Sequence, residues 1–138
     1  MMPVVVPVDA ERLLTDFVQT VITGDYLPTP PTGSAWKRGT TVAPGVTPKW
    51  FIQVRSIGGE DAGRVADRPL LDVRVWADGT AATEALRSQA ARVLLARIRQ
   101  KFPSNIFAMP VPLPDPVDPS KVHTLFTVQL FTRGVQSA

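Results

Sequence analysis

An α+β fold, with helices packed on a small antiparallel sheet, is what this chain predicts. Two stretches carry helical periodicity, three others alternate strictly, and their order is helix, strand, strand, helix, strand. The 138 residues match one ordinary domain, so 1–138 is read as a single domain. With 44% hydrophobic and 20% charged residues, the chain has the apolar content of a globular protein rather than a disordered one.

The first helix is predicted from Asp9 to about Thr23. Asp9 is a suitable N-cap, and Leu13, Leu14, Phe17, Val18, Val21 and Ile22 recur on one face. Gly24 stands where a helix ends. The stretch Asp25 to Pro48 holds too many prolines and glycines for a regular helix or a central strand, with room for a short edge strand near Thr40–Val42. Lys49–Ile57 reads as a strand with Trp50, Ile52 and Val54 on one face and Phe51, Gln53 and Arg55 on the other. Gly58–Asp67 reads as a loop, and Leu70–Trp76 as the antiparallel partner strand.

The second helix is predicted from about Thr80 to Lys101, roughly 33 Å at 1.5 Å per residue, after a turn capped by Asp78 or Thr80. Its core face is read as Ala82, Leu86, Ala90, Val93, Leu94 and Ile98, with Leu95 pointing away from it. Phe102–Pro119 is a second proline-rich segment. Val122–Thr132 closes the fold as a strand, with Val122, Phe126, Val128 and Leu130 opposed to His123, Leu125, Thr127, Gln129 and Phe131.

No catalytic constellation emerges. Without cysteine, disulfides, thiolate zinc sites and cysteine nucleophiles are excluded. Gly58 and Gly63 have phosphate-loop spacing, but Arg64-Val65 replaces the Lys-Ser/Thr such a loop needs, and Glu60 and Asp61 would repel phosphate. The single histidine, His123, is expected at a surface or interface. Asp115 and Asp118 lack the ligand series of a calcium loop. An enzyme would have to assemble a site from Asp9, Asp72 or His123, and nothing in the spacing does so. No catalytic, metal or cofactor-binding residue is assigned.

The net charge is +3. The high isoelectric point, about 9.8, exaggerates this, because little titrates just above neutrality. The opening MMPVVVPV is expected to be neither leader nor membrane span, being short and lacking a charged start. Arg87, Arg92, Arg97, Arg99 and Lys101 gather in the second helix behind Glu84, an order that suits the helix dipole and also offers a basic rim.

Apolar residues on both faces of the strands, together with two proline-rich arms, predict a subunit of a larger assembly. The candidate interface residues are Leu95, Arg92 and Arg99 on the second helix, Trp36 in the first arm, and Phe107 and Met109 in the second. An outward Leu95 predicts that Leu95→Glu leaves the fold intact and blocks assembly.

In order and spacing, four segments resemble the tail terminator (tail completion) proteins of long-tailed, siphovirus-type bacteriophages, those of actinobacterial phages especially. They are DAERLLTDFVQTVI, the proline-rich run before WFIQVRSIGG, LDVRVWADGTAATEALRSQAARVLLARI, and HTLFTVQLFTRG. The resemblance implies a small α+β subunit forming a hexameric ring at the head-proximal end of the tail tube. Such a ring stops tube polymerisation and joins the tail to the neck. Its implied partners are further copies of itself, the major tail tube protein, and head–tail connector or neck proteins. Genomic DNA would pass non-specifically through the lumen, with no membrane and no cofactor involved. The implied location is the virion, after assembly in the bacterial cytoplasm. Two other readings stand beside it. One is a head–tail connector or neck adaptor. The other is a small nucleic-acid-binding module, whose affinity would fall steeply with salt.

Overall fold

In the computed structural model, which describes residues 4–6, 8–61, 66–133 and 135–137, the chain is α+β. A short strand β1 (Val4–Val6) pairs antiparallel with β8 (Val135–Ser137) as a separate two-stranded sheet. The first apolar stripe becomes α1 (Ala10–Thr23). Asp9 caps it by accepting the Arg12 amide at 3.1 Å, which satisfies one of the donors a helix start leaves open. Leu14, Val18 and Val21 fill its buried side. Gly24 closes the helix while staying right-handed, and the chain turns at Asp25, with φ +59°, a conformation aspartate tolerates better than most residues. Glycine at 24 lets the Tyr26 ring lie close, since a Cβ there would stand 2.5 Å from it.

The main sheet runs in the order β2-β3-β4-β6-β5. The edge strand expected near Thr40–Val42 lies earlier, as β2 (Lys37–Gly39), and it pairs parallel with β3 (Phe51–Asp61). β4 (Ala66–Trp76) returns antiparallel. The expected loop at Gly58–Asp67 is mostly strand, because pairing continues through Asp61↔Asp67 beyond a bulge between Ser56 and Gly58. Residues 62–65 of that expected loop lie outside the described residues. The two glycines serve the bulge. At Gly59, φ is +150° and a Cβ would come within 2.6 Å of the Arg68 carbonyl oxygen, so no other residue fits without moving the partner strand.

After β4, the Asp78 carboxylate accepts from the Thr80 amide at 2.9 Å, the Thr80 hydroxyl at 2.7 Å and the Thr83 hydroxyl. These donors, Thr83 first, hold its pKa below the usual value. A 3₁₀ turn, Ala81–Thr83, then leads into α2 (Glu84–Lys101). The strand-to-helix corner is therefore a hydrogen-bonded turn.

The predicted phase of the second helix needs correction. Its buried stripe is Arg87, Ala90, Ala91, Leu94, Leu95 and Ile98, spaced i, i+3, i+4, i+7, i+8 and i+11 as a core-facing helix requires. Leu95 is only 6% exposed, so it belongs to the core and not to an outer interface. Ala82, assigned to the core face, is exposed in the 3₁₀ turn. The misreading has a physical source. Arginine opens the true stripe and alanines fill its next two positions, so apolar residues alone point to a neighbouring face.

The second proline-rich segment is largely a strand, β5 (Ser104–Pro114), antiparallel to β6 (Val122–Leu130). Its prolines at 110, 112 and 114 share one parity. Alternate residues of a strand direct their amides to opposite sides, so these prolines remove donors from one side only, and the strand survives as an edge. A last short strand, β7 (Thr132–Arg133), continues along β4.

Both helices pack on one face of the sheet, α1 over β2 and β3, α2 over β4, β5 and β6. Between them and the sheet lie Ile52, Val54, Leu71, Val73, Val75, Phe126, Val128 and Leu130. Among the described residues no third helix covers the middle of the opposite face. The chain's own loops do: Gln53 donates to the Thr40 carbonyl at 3.2 Å, and Trp76 to Asp115 at 3.4 Å. His123, expected at a surface or interface, is 3% exposed beneath them.

Removing the Leu95 side chain beyond Cβ (Leu95→Ala) is expected to cost about 2–5 kcal/mol in urea denaturation, the range for buried leucines. Leu95→Glu should fail to fold, and a native circular dichroism spectrum for that variant would refute the packing described.

Candidate functional site: the flank between α2 and β5

Arg87 sets the height of α2 above the sheet. Its Nε donates to the Thr124 hydroxyl at 2.9 Å and its Nη1 to the Val122 carbonyl at 3.1 Å. The residue is 4% exposed, and among the described residues no carboxylate lies within ion-pair distance of it. Burial lowers its pKa, with Glu84 pulling weakly the other way, yet a guanidinium stays charged at any ordinary pH. A charge buried this way needs its hydrogen bonds, so the two contacts to β6 are obligatory rather than decorative.

The spacing Arg87 imposes leaves a groove of about 180 Å³ between α2 and β5, with Arg87 at its base and Ser88, Arg92, Met109, Pro110 and Pro112 along its sides. The structure thus brings together two of the predicted interface residues, Arg92 and Met109. Phe107, 67% exposed, lies on the same strand as Met109 at 63% and Val111 at 45%. Arg99 is exposed on α2, two turns beyond Arg92. Trp36 is not part of this surface. It is buried, packs edge-on against Trp50 with ring centroids 5.2 Å apart, and donates its indole N–H to the Pro28 carbonyl at 2.8 Å. Trp36 is therefore corrected to a core residue.

Two further recesses lie elsewhere on the surface. One, of about 250 Å³, lies on the loop-covered side of the sheet and is lined by Gln53, Arg55, Ser56, Ile57, Asp72 and Arg74. Its carboxylate is engaged: Asp72 accepts from the Thr127 hydroxyl at 2.6 Å and sits 4.0 Å from Arg74. The other, about 270 Å³, lies between the helices beneath Tyr26, whose ring is covered by the Arg97 guanidinium at 3.6 Å. Neither brings a nucleophile to a base.

The residues that sequence reasoning missed are Arg87 and Asp115. Asp115 accepts from the Thr47 hydroxyl at 2.7 Å, the Trp76 indole, and the Val117 and Asp118 amides at 3.2 and 3.1 Å. Burial pushes its pKa up, but these donors outweigh that and hold it below the usual value. The run Pro-Asp-Pro-Val-Asp-Pro carried the signal, as an aspartate that bonds the amides following it. Among the described residues no group of three His, Cys, Asp or Glu could hold a metal ion, and no helix is long and apolar enough to cross a membrane.

No protein-family model matches the chain, and no curated protein is significantly similar to it.

His123 yields a pH prediction. Its ring packs 5.1 Å from that of Trp76 and neither nitrogen has a hydrogen-bond partner. Burial, with Arg74 and Arg87, holds its pKa below 6.5 against an upward pull from Asp115. Below about pH 6.5 the unfolded chain therefore binds a proton that the folded chain does not. Stability present at pH 7 should fall as pH drops through that range, by at most about 1.4 kcal/mol per pH unit. His123→Phe should flatten this segment of the melting-temperature profile; an unchanged profile would show that His123 is not its source.

Proposed function

We propose that the chain is a structural virion protein, a phage tail terminator. On this reading it forms a hexameric ring at the head-proximal end of the tail tube, halts tube polymerisation and joins the tail to the neck proteins. DNA passes through the lumen without being read, and no substrate is turned over. The observation that carries the assembly part is the row Phe107, Met109 and Val111 on an edge strand, beside exposed Arg92 and Arg99. Large apolar side chains grouped on one strand and rimmed by charge are the mark of a surface that another protein covers. The resemblance over the four segments supplies the kind of assembly, and the α+β subunit accords with it.

The test is electron microscopy of particles formed without this gene. Overlong, headless tails are expected. Tails of normal length beside DNA-filled heads would move the protein to the head–tail connector and sink the terminator reading. Phe107→Glu combined with Met109→Glu should keep the wild-type circular dichroism and melting temperature, since both side chains are exposed, yet give the same overlong tails. Tails of normal length from that variant would show that this flank is not the assembly surface.

A further inference from the structure

We propose that the α2–β5 flank of one molecule receives α1 of a second copy in a head-to-tail contact. The proposal rests on the ring-forming reading above and names the two surfaces that meet.

Three observations lead to it. First, the outer side of β5 cannot accept an added strand where prolines 110, 112 and 114 remove its amide donors. From Pro110 onward, beside Met109, a partner must therefore bind through side chains. Second, α2 carries Arg92, Arg97, Arg99 and Lys101 against one acid, Glu84. Arg97 is engaged over Tyr26, whereas Arg92 lines the β5 groove. A two-fold contact through this flank would set the arginines of one copy against those of the other.

Third, the complementary charge is present elsewhere on the chain. Around α1 stand Asp9, Glu11, Asp16 and Asp25 against Arg12 alone, and Asp9, Arg12 and Asp16 are exposed opposite the buried stripe. Asp9 and Asp16 are seven residues apart, as are Arg92 and Arg99, a span of about 10.5 Å along a helix. Arg12 and Asp16 approach only to 3.9 Å with both side chains largely in solvent, so that pairing is weak and exchangeable.

These surfaces cannot satisfy each other within one molecule. α1 lies over β2 and β3, on the Arg97 side of α2, while the groove holding Arg92 opens toward β5 on the other side. They can meet only between copies. A contact between two different patches generates a closed ring or an open helix of subunits, unlike a two-fold pair.

The test is sedimentation of the full chain at low and high salt, with charge variants. Wild type is expected to self-associate at low salt and to dissociate at least tenfold more readily at high salt, as exposed charges are screened. R92E/R99E and D16K should each weaken association at least tenfold, with unchanged circular dichroism, and R92E/R99E/D16K should associate more tightly than either. Variants that associate like wild type would overturn the proposal, as would a triple variant no better than its parents. A wild-type chain that stays monomeric would overturn it too, while the terminator reading is decided separately by tail length.

Discussion

Four donors converge on the Asp115 carboxylate, and the loop-covered face of the sheet depends on them. An α+β layer with helices on one side leaves the other side of the sheet to be dealt with, and here Trp76, His123, Gln53 and Thr127 are buried there. The loop before β3 reaches Asp115 through Thr47, the sheet reaches it through the Trp76 indole, and the turn after β5 closes on it through two amides. Each such bond contributes about 0.5–1.5 kcal/mol net, and bonds to a charged group somewhat more. Without the carboxylate, two proline-rich segments would lose their common anchor.

With helices on one face and loops over the middle of the other, the two most exposed large apolar side chains, Phe107 and Met109, stand on the flank. Phe107, Met109 and Val111 stand out because β5 is bulged twice against β6, between Ile106 and Ala108 and between Ala108 and Val111. A straight strand would set these three alternate residues on one face, and the bulges turn that stretch off the regular alternation. Arg87 ties α2 to the neighbouring β6 through Thr124 and Val122 and forms the base of the groove next to them. Core architecture and candidate interface thus share one cause.

How much of this was legible in the sequence follows from what each signal measures. α1 was readable because its cap, stripe and stop all agree. The strands around Ile52, Val73 and Phe126 were readable because strict alternation survives in all three. α2 was found but rotated, since periodicity counts apolar residues and cannot see that a hydrogen-bonded arginine is core. β5 was missed because proline density argues against strands in general, and only the shared parity of Pro110, Pro112 and Pro114 shows that an edge can tolerate them. Of the six candidate interface residues, Arg92, Arg99, Phe107 and Met109 are exposed on one flank, while Leu95 and Trp36 are buried. Size and apolarity nominate a residue for a core and for an interface equally well, so these two could be separated from Phe107 only by three-dimensional packing.

The sheet's two borders also govern what happens when many copies crowd together. One border is β2, three residues long, continued beyond Gln53 by the outer edge of β3, and the other is studded with prolines. Exposed strand edges are where cross-β growth starts, and short or proline-bearing edges suppress it. The proline-bearing border therefore disfavours edge-to-edge zipping of concentrated copies even while Phe107, Met109 and Val111 are uncovered.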